Sequence, residues 1–426
     1  MQLADRLKEA GPEGPAQRKQ PEVQLLREVE LLPPRSLHAT WPTVHFGDVV
    51  TLNTDRSANP AAAGIERFVG LEHIEPEDLR IRRWGLVAEG TTFTNRFRPG
   101  QVLFGKRRAY QRKVAVADFE GVCSSDIYVF ESQDPAVLLP ELLPFLCQTE
   151  GFFQHAVGTS AGSLSPRTNW TQLANYEFAL PPLEEQRRIA EVLWALEEVL
   201  ISIQLARQSL SLLLTARIDY FLHQYDTARD TLPVAALLTE APRNGFSPRT
   251  NDSNKGFRTV SISSVSDGLF VPFGNIKYAE VEPERVKQFL VAKDDVLVVR
   301  GNGNRDLTGK CGISQQSYTD LFYPDLLIRM RFDASRINPR FGALQWNSPR
   351  VHRHLISRAK STNGIWKING QDIRDHVLIV PPIEDQVRIL TETDEMAKAT
   401  TLLEARATNT AHIKTRVLGA ISGNAQ

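Results

Sequence analysis

The feature that most constrains this chain is a pair of matching segments, in which Pro181 of the first corresponds to Pro381 of the second. The segments are Ala179–Ile189 (ALPPLEEQRRI) and Ile379–Ile389 (IVPPIEDQVRI). Each combines an apolar run, two prolines, two acidic residues and the start of a helical pattern. Proline ends strand pairing and presets φ for a helix start, and the helix dipole favours acids in the first turn. The segments therefore predict two strand-to-helix junctions and an internal repeat.

A long helix is predicted after each junction. In the first helix, apolar residues alternate spacings of three and four over almost four heptads, which is typical of a coiled-coil seam. They are Ile189, Val192, Leu196, Val199, Ile203, Ala206, Leu210 and Leu213. In the second helix the same phase is kept by Ile389, Met396, Ala399, Leu403, Ile413 and Val417, with polar interruptions at Glu392, Arg406 and Thr410. We expect the two helices to pair with each other.

Two strand-rich stretches precede these helices and follow a similar order. Candidate strands of the first are Thr43–Leu52, Arg67–Leu71, Gln101–Phe104, Lys113–Ala117, Asp126–Phe130 and Tyr176–Leu180, with helical patterns at Leu138–Gly151 and Phe152–Val157. Candidate strands of the second are Val234–Leu238, Phe257–Ile262, Asp295–Arg300, Lys310–Ser314, Leu326–Phe332 and His376–Val380, with a helix at Pro339–Arg358. The frameworks match while the loop residues differ. This pattern indicates one scaffold used twice to recognise two different things.

The predicted architecture is an α+β fold with two similar strand-rich domains joined by two long helices. Its segments are an N-terminal extension at 1–40 with one short helix at Glu22–Leu32, a first domain at 41–180, a first spacer helix at 181–228, a second domain at 229–380 and a second spacer helix at 381–420.

Composition excludes several classes of protein. No apolar run approaches the roughly 18 residues of a membrane span, and early charges such as Arg6 and Lys8 exclude a secretory signal, so we expect a cytoplasmic protein. Three cysteines without a Cys-x-x-Cys pair predict no metal site. The formal net charge of zero argues mildly against a nucleic-acid binder, but the distribution of charge matters more than its sum.

Cations are concentrated in the first domain, where the interval from Arg80 to Lys113 contains Glu89 as its only acid. We interpret this interval as a surface that follows DNA phosphates, with arginines available for guanine edges. The alternative is a solvated edge hairpin whose charges prevent aggregation. The candidate DNA contacts are Arg96, Lys106, Arg107, Arg108, Tyr110, Arg112 and Lys113.

In the second domain the turn from Arg300 to Arg305 carries two glycines and two amides. A nucleotide phosphate loop would need a terminal Lys-Ser/Thr pair and a following helix, and both are absent from the sequence. We therefore favour Arg300, Asn302, Asn304 and Arg305 as DNA contacts over a plain hairpin turn. Two further loops carry hydroxyls, amides and cations suited to backbone and base contacts, although ordinary loop polarity explains each residue equally well. These residues are Ser160, Ser163, Arg167 and Asn169, and then Ser361, Asn363 and Lys367.

Motifs for catalysis are missing from the sequence. An adenine methyltransferase would carry Asp/Asn-Pro-Pro-Tyr/Phe and a glycine-rich cofactor loop, but the Pro-Pro pairs here follow leucine or valine. No paired-carboxylate nuclease motif stands out either. We expect this chain to supply recognition, to bind no cofactor of its own, and to leave chemistry to partner proteins.

The two Pro-Pro segments, together with VGLEHI at Val69–Ile74, GQVLF at Gly100–Phe104 and the GTS loop at Gly158, resemble the specificity subunit of Type I restriction–modification systems over about Trp41 to Gly419. The resemblance implies two target-recognition domains, each binding one half of a split, asymmetric DNA site. It also implies an antiparallel helical spacer that sets the gap, two methyltransferase subunits docked on it, and restriction subunits. AdoMet, ATP and Mg would belong to those partners. The extension before Trp41 and the interrupted second seam depart from the family pattern.

One apolar stripe lies beside the predicted seam, at Leu193, Leu200, Leu214 and Phe221. We expect its ends to pack on the recognition domains, and Leu200 and Leu214 to contact a methyltransferase subunit. Two other functions compete with DNA recognition: a coiled-coil scaffold that joins proteins without binding DNA, and a self-sufficient methyltransferase or nuclease.

Overall fold

A computed structural model describes residues 41–227, 230–266, 268–272, 276–362 and 364–422. The predicted extension at 1–40, with its helix at Glu22–Leu32, lies outside these residues. The chain divides into two compact units. The first unit contains the residues up to Gln204 together with those from Ala405 onward, and the second is Leu205–Glu404. The predicted α+β class, with two strand-rich domains joined by long helices, is confirmed.

The first unit contains two four-stranded sheets and a two-stranded sheet. In spatial order the first sheet is Val50–Leu52, Ile127–Ser132, Val102–Gly105 and Val114–Val116, and the second is Gly85–Leu86, Arg67–Val69, Gly121–Cys123 and Asn95–Phe97. Thr43–His45 pairs with Glu177–Ala179. Short helices are Phe46–Val49, Leu143–Leu146, Glu150–Gly158 and Trp170–Ala174. Single 3-10 turns are Leu71–His73, Val87–Glu89 and Ala109–Gln111. Buried aromatic rings fill the core, with Phe46 4.8 Å from Phe152 and Phe104 5.4 Å from the same ring.

The second unit contains a six-stranded sheet in the order Arg243–Asn244, Leu327–Met330, Val296–Val299, Cys311–Ile313, Leu269–Phe270 and Val265–Ser266. Two three-stranded sheets are Lys277–Ala279, Phe257–Thr259 and Leu321–Phe322, and Gly301–Asn302, Ile365–Lys367 and Lys360–Thr362. Thr231–Pro233 pairs with Val377–Ile379. Short helices are Pro283–Val286, Pro339–Asn347, Pro349–Ser357 and Gly370–Arg374. Single 3-10 turns are Val234–Leu237, Ile262–Ser264, Lys287–Phe289 and Arg305–Leu307.

The same ladder recurs in both units. Leu103 lies opposite Val129 in the first unit, and Leu297 lies opposite Arg329 in the second. Two residues before each of these central strands the backbone is left-handed, with φ of 89° at Gly100 and 66° at Asp294. The segments 100–104 (GQVLF) and 294–298 (DDVLV) are similar in sequence, and they also occupy the same backbone position in the two units.

Four predicted elements were wrong. Of the predicted helix Leu138–Gly151, only Leu143–Leu146 and the start of Glu150–Gly158 are helical. The helix Phe46–Val49 interrupts the predicted strand Thr43–Leu52, and the predicted strand Val234–Leu238 is a 3-10 turn at Val234–Leu237. In both segments the buried residues are three apart, and segments this short do not distinguish strand from helix by periodicity. The predicted helix Pro339–Arg358 is two helices, because Ser348 is extended and caps the second one.

The repeated glutamine of the two Pro-Pro segments fastens each long helix to its own unit. Gln186 accepts a hydrogen bond from the Leu139 amide at 2.8 Å and donates to the Pro181 carbonyl at 2.8 Å. Gln386 likewise accepts from the Asn338 amide at 2.8 Å and donates to the Pro381 carbonyl at 2.7 Å. Both side chains are buried, so they satisfy backbone groups that water does not reach. This bonding explains why Gln follows the acidic pair in both copies.

The long helices are Leu183–Gln224 and Ile383–Ser422, of 42 and 40 residues. Within the second unit Arg207 pairs with Glu404 at 2.6 Å and Arg217 with Glu392 at 2.7 Å. Numbers rise along one helix as they fall along the other, so the helices are antiparallel there. Within the first unit the buried pair Glu197–Lys414 joins the same two helices.

The helices are also part of the unit cores, which corrects the segmentation expected from the sequence. Ile189 and Leu196 pack in the first core with Val417, while Phe221 packs in the second core with Ile389. The halves of each helix therefore belong to different units, because each half buries its apolar face on the neighbouring strand-rich domain.

The predicted seam is correct at its start and wrong at its end. Ile189, Val192 and Leu196 are buried, but Leu213 is 55% exposed and the next residue, Leu214, packs against the second core. An α-helix drifts about 20° per heptad relative to a 3.5-residue repeat, so the buried face advances by almost one position over four heptads. Leu214 is therefore half-buried against the second core, as Leu200 is half-buried on the same helix, and both stay predicted partner contacts.

Candidate nucleic-acid interface

A basic turn leaves the central strand of the first unit immediately after Gly105. It runs from Lys106 to Lys113 and contains the 3-10 turn Ala109–Gln111. Arg108 and Arg112, which flank this turn, have left-handed backbones with φ of 56° and 54°. Such conformations are uncommon for residues other than glycine and concentrate at functional sites.

Main-chain bonds attach the loop at 160–169 to this turn. The Arg108 amide donates to the Pro166 carbonyl at 2.7 Å, and the Thr168 amide donates to the Lys106 carbonyl at 3.1 Å. Arg107 and Arg167 lie opposite each other in an isolated antiparallel bridge. Two candidate groups that are far apart in the sequence are thus joined in one surface.

Asp126 lies at the centre of this surface and was not among the predicted residues. One of its carboxylate oxygens accepts from Arg167 Nε at 2.8 Å, and the other accepts from Arg107 Nη1 at 3.2 Å. Burial favours a higher pKa for Asp126, but the hydrogen bonds from Arg167 and Arg107 outweigh it and the pKa lies below its usual range. The carboxylate is therefore ionised at neutral pH and holds both arginines.

The other cations of the turn are supported by neutral groups. Ser165 Oγ accepts from Arg107 Nη2 at 3.1 Å and from Arg108 Nη2 at 3.2 Å. Lys106 Nζ lies 4.4 Å from the centre of the Tyr128 ring. Burial lowers the pKa of Lys106, Asp126 opposes that effect and Arg167 adds to it. Four cations, Lys106, Arg107, Arg108 and Arg167, thus surround one acid, and the surface has an excess of positive charge.

Other predicted cations are already engaged within the chain, two of them by acids that neutralise them, which corrects the argument from the scarcity of acids. Arg96 bonds Glu120 at 2.7 Å, Arg112 pairs with Glu150, and Lys113 donates to the Leu71 carbonyl at 2.6 Å. Outside the predicted set, Arg82, Arg83 and Arg98 pair with Asp78, Glu75 and Asp55. Asp78 and Glu75 lie just before the basic interval, and the fold brings the other three acids from distant segments.

The polar residues of the loop differ in availability. Ser160 Oγ donates to the Ala156 carbonyl at 2.7 Å, so its hydroxyl hydrogen is engaged within the chain. Ser163 and Asn169 are exposed, and Asn169 starts the helix Trp170–Ala174 without a side-chain capping bond. Tyr110 is exposed on the turn.

The second unit repeats the arrangement with other side chains. Its turn follows Val299, and the bridge between Arg107 and Arg167 is replaced by strand pairing between Gly301 and Lys367. Lys367 and Ser361 are exposed on the paired strands. Asn363 lies outside the described residues. The two predicted groups of this domain are therefore also brought together.

The asparagines of this turn shape its backbone. Asn302 Oδ1 accepts from the Asn304 amide at 2.8 Å, and Asn304 Oδ1 accepts from the Asp306 amide at 2.9 Å. The Arg305 guanidinium stacks 4.7 Å from the Trp366 ring, and Arg300 lies 4.0 Å from the Asp325 carboxylate. Arg305 and Lys367 remain exposed cations of this surface.

Two searches of the described residues bear on other functions. Across 41–422, apart from the gaps stated above, no cluster of three metal-ligating side chains was found. In the same part of the chain, no helix is long and apolar enough to cross a membrane.

The chain is similar in sequence to proteins of one family. Residues 39–209 match the model of the Type I restriction modification DNA specificity domain. The chain is 28% identical over 300 residues to the Type I restriction enzyme EcoKI specificity subunit of Escherichia coli K12, an alignment that covers 64% of this chain and 63% of that protein. The chain is therefore similar in sequence to Type I specificity subunits, and its residues 39–209 match their DNA specificity domain.

Another specificity subunit is also similar to this chain in sequence. The EcoDI specificity subunit of Escherichia coli is 32% identical over 157 residues, covering 36% of this chain and 34% of that protein. The chain thus aligns with less than two thirds of the length of each relative. All these relatives are described as specificity subunits, which gives no support to a scaffold that does not recognise DNA.

Solved structures share the fold of this chain. A chain from a study of complex assembly and conformational transition of the type I R-M system gives a TM-score of 0.58 at 20% identity, covering 92% of this chain and 99% of its own. The S subunit of a Type-I restriction-modification system from M. genitalium gives 0.54 at 12% identity, covering 91% and 97%. These values concern the fold alone.

Proposed function

We propose that the chain is the DNA sequence-recognition subunit of a Type I restriction–modification complex, and that each unit binds one half of a bipartite, asymmetric site. One observation carries the proposal. In both units the same main-chain register joins a turn after the central strand to a second polar loop, through Arg107 and Arg167 or through Gly301 and Lys367. The backbone is repeated while the side chains change, as expected if two half-sites differ in sequence.

The chemistry of the two surfaces suits double-stranded DNA. Lys106 and Arg108 offer charge for phosphates, and arginine also matches the acceptor pair of guanine in the major groove. Asn302 and Asn304 order the second turn, which leaves Arg305 and Lys367 exposed beside it. Phosphate contacts position a protein on the duplex and base contacts specify sequence, so both are required.

The partners in this proposal are two methyltransferase subunits and the restriction subunits. The chain itself is non-catalytic, and AdoMet, ATP and Mg belong to the partners. Its place of action is the cytoplasm, where the DNA is.

An apolar surface on the second unit offers a contact for a methyltransferase subunit. Leu205 and Leu212 are seven residues apart on the first long helix, and both are exposed, as are Leu213 and Tyr220 beside them. Seven-residue spacing keeps side chains on one helix face. This surface adds to the sequence prediction, in which Leu200 and Leu214, both half-buried, stay predicted contacts.

Mapping of methylated adenines tests the proposal. The full chain is co-expressed with the methyltransferase subunit of its own system, and genomic DNA is sequenced for N6-methyladenine. We expect one split, asymmetric motif that disappears when this chain is omitted. AdoMet binding by the isolated chain would favour a self-sufficient methyltransferase, and an unchanged methylation pattern without the chain would exclude its role in recognition.

A further inference from the structure

Arg167 differs from the other cations of the first unit in how its guanidinium is held. Its Nε donates to Asp126 at 2.8 Å, so the side chain is fixed from behind. Within the described residues, neither Nη atom of Arg167 has a protein partner, and the side chain is 49% exposed. The end of the guanidinium that carries two parallel N–H donors therefore faces outward.

Arg107 and Arg108, unlike Arg167, have Nη atoms that are engaged by protein groups. Both Nη atoms of Arg107 are engaged, one by Asp126 and one by Ser165, and its Nε is buried without a partner. Arg108 is held at one Nη by the same Ser165. Arg107 thus completes the support of the surface, while Arg167 presents an unoccupied pair of donors.

A carboxylate behind an arginine favours a base over a phosphate as the ligand. Asp126 cancels part of the charge of Arg167 and would repel a phosphate group at the same place. Asp126 also restricts the orientation of the Arg167 guanidinium. This reduces the conformational entropy that is lost when its two Nη donors bind two acceptors of a ligand. Guanine presents O6 and N7 as such a pair of acceptors in the major groove.

The second unit has no such device at the equivalent position. Lys367 takes the place of Arg167, since it pairs with Gly301 as Arg167 pairs with Arg107. Leu326 takes the place of Asp126, since its carbonyl accepts from Arg300 as the Asp126 carbonyl accepts from Lys106. Lys367 carries a flexible ammonium group, and Leu326 has no side-chain acceptor that could orient it. The second unit therefore has no fixed pair of donors at this position.

We propose that Arg167, oriented by Asp126, recognises a guanine in the half-site bound by the first unit, and that Asp126 is the positioning residue for this contact. The inference rests on the proposed function of DNA recognition. It adds a base identity, the residue that contacts the base and a residue that acts through it.

Selection from a randomised duplex library tests the inference. The full chain and its variants select DNA at one fixed salt concentration, and bound sequences are counted at each position. The wild-type chain is expected to select guanine at one position of one half-site. Arg167→Lys is expected to lose roughly 5- to 150-fold of this discrimination, while the other half-site is unchanged. Lys367→Ala is the matched control, because it lies at the equivalent place and should affect only the other half-site.

Variants of Asp126 separate positioning from simple support of the fold. Asp126→Ala removes the anchor and a negative charge, so guanine selection should fall while affinity for random DNA stays equal or rises. Asp126→Asn keeps an acceptor for Nε and should retain part of the selection. Thermal melting checks that each variant is folded.

The outcomes distinguish this inference from the proposed function. If the wild-type chain selects no sequence at all, DNA recognition itself is wrong. If it selects a bipartite site but Arg167→Lys leaves every position unchanged, recognition stands and the guanine contact is overturned. If Asp126→Ala weakens selected and random DNA equally, Asp126 supports the surface without positioning Arg167.

Discussion

The two units use one backbone arrangement for two different surfaces. In the first, Arg107 and Arg167 share the carboxylate of Asp126. In the second, Gly301 and Lys367 occupy the same ladder positions, and the nearby cation Arg305 lies over Trp366 instead. Main-chain bonds hold both turns regardless of side chain, because each amide and carbonyl carries its own donor or acceptor. The framework can therefore be kept while the recognition residues vary.

The two units also differ at a buried position of their shared central ladder. Val129 and Arg329 occupy equivalent ladder positions, opposite Leu103 and Leu297. Arg329 is 2% exposed and bonds Glu240 at 2.7 Å, whereas Val129 packs in an apolar cluster. The comparison shows that even a buried position of the shared framework can change from apolar to charged, provided that the second unit supplies the partners.

The long helices show a third difference. In the second unit the exposed apolar residues Leu205, Leu212, Leu213 and Tyr220 lie on one of them. In the first unit's portions of both helices, at 183–204 and 405–421, every described Leu, Ile, Val and Trp side chain is buried or half-buried. The two units therefore offer different helix surfaces to a partner.

The largest expected effect comes from exchanging a whole domain. Replacing 41–180 with the matching domain of a relative should change one half-site and leave the other half and the gap unchanged. Loss of the original half-site should cost at least about a thousandfold in specific over non-specific binding. Adenine methylation mapping measures both halves, and a simultaneous change in the gap would contradict independent units.

A smaller effect is expected for the exposed helix surface. Leu205→Glu with Leu212→Glu should weaken assembly with the methyltransferase subunit by several kcal/mol, because each buried leucine contributes about 2 kcal/mol and each new carboxylate must be desolvated. Size-exclusion chromatography of the co-expressed proteins measures assembly. Ser211→Glu, on the same helix between the two leucines in sequence, is the control, and normal assembly of the double variant would exclude this surface.

The buried arginine of the second unit should matter more for stability than any exposed cation. Arg329→Val installs the residue type of the first unit, but removes the donor to the Gln288 carbonyl and leaves Arg331 as the remaining cation beside Glu240 and Asp295. We expect a loss of about 1–3 kcal/mol in the free energy of unfolding, the cost of leaving buried acceptors unsatisfied. Denaturant unfolding measures it, with the exposed Arg249→Val as a control that should stay within about 0.5 kcal/mol. Equal effects would mean that the buried network is not needed.

Acid should destabilise the second unit through His376. Burial, with lesser contributions from His354 and Arg358, lowers the pKa of His376 to about 4. The unfolded state takes up a proton below pH 6.5 while the folded state resists it down to about 4, so stability falls across this window. At about 1.4 kcal/mol per pH unit the loss approaches 3 kcal/mol.

His376→Phe isolates this effect. Tyr176 holds the equivalent position in the first unit, since its carbonyl accepts from the Phe46 amide as that of His376 accepts from Val234. The melting temperature of the wild-type chain should fall relative to that of the variant as the pH falls from 6.5 to 4, and a constant difference would show that His376 does not titrate there.

The smallest expected effect separates free from neutralised cations in the first unit. Lys106→Ala and Arg108→Ala should each lower the slope of log affinity against log salt by about one. Arg96→Ala and Arg112→Ala should leave the slope unchanged, because Glu120 and Glu150 already hold these side chains. Filter binding over a range of salt measures the slopes, and equal slopes for both pairs would argue against the assignment of free charge.

The sequence by itself determined the repeat, the helix starts and the candidate loops. Pro181 and Pro381 mark the junctions because proline acts on the local backbone, and local rules of this kind are visible in the sequence. The match of Gly100 with Asp294 is also local, since each residue has a left-handed backbone two positions before a central strand.

Only the tertiary structure decided which charges are free and which apolar residues are exposed. Asp126 bonds Arg167, which is 41 residues away in the sequence, and Glu150 bonds Arg112, which is 38 residues away. Local sequence patterns therefore predict neither pair. Leu213 and Leu214 exchange roles because a small angular drift accumulates along a 42-residue helix. Contacts between distant segments and accumulated geometry depend on the whole fold, and for this reason they could not be predicted from the order of residues.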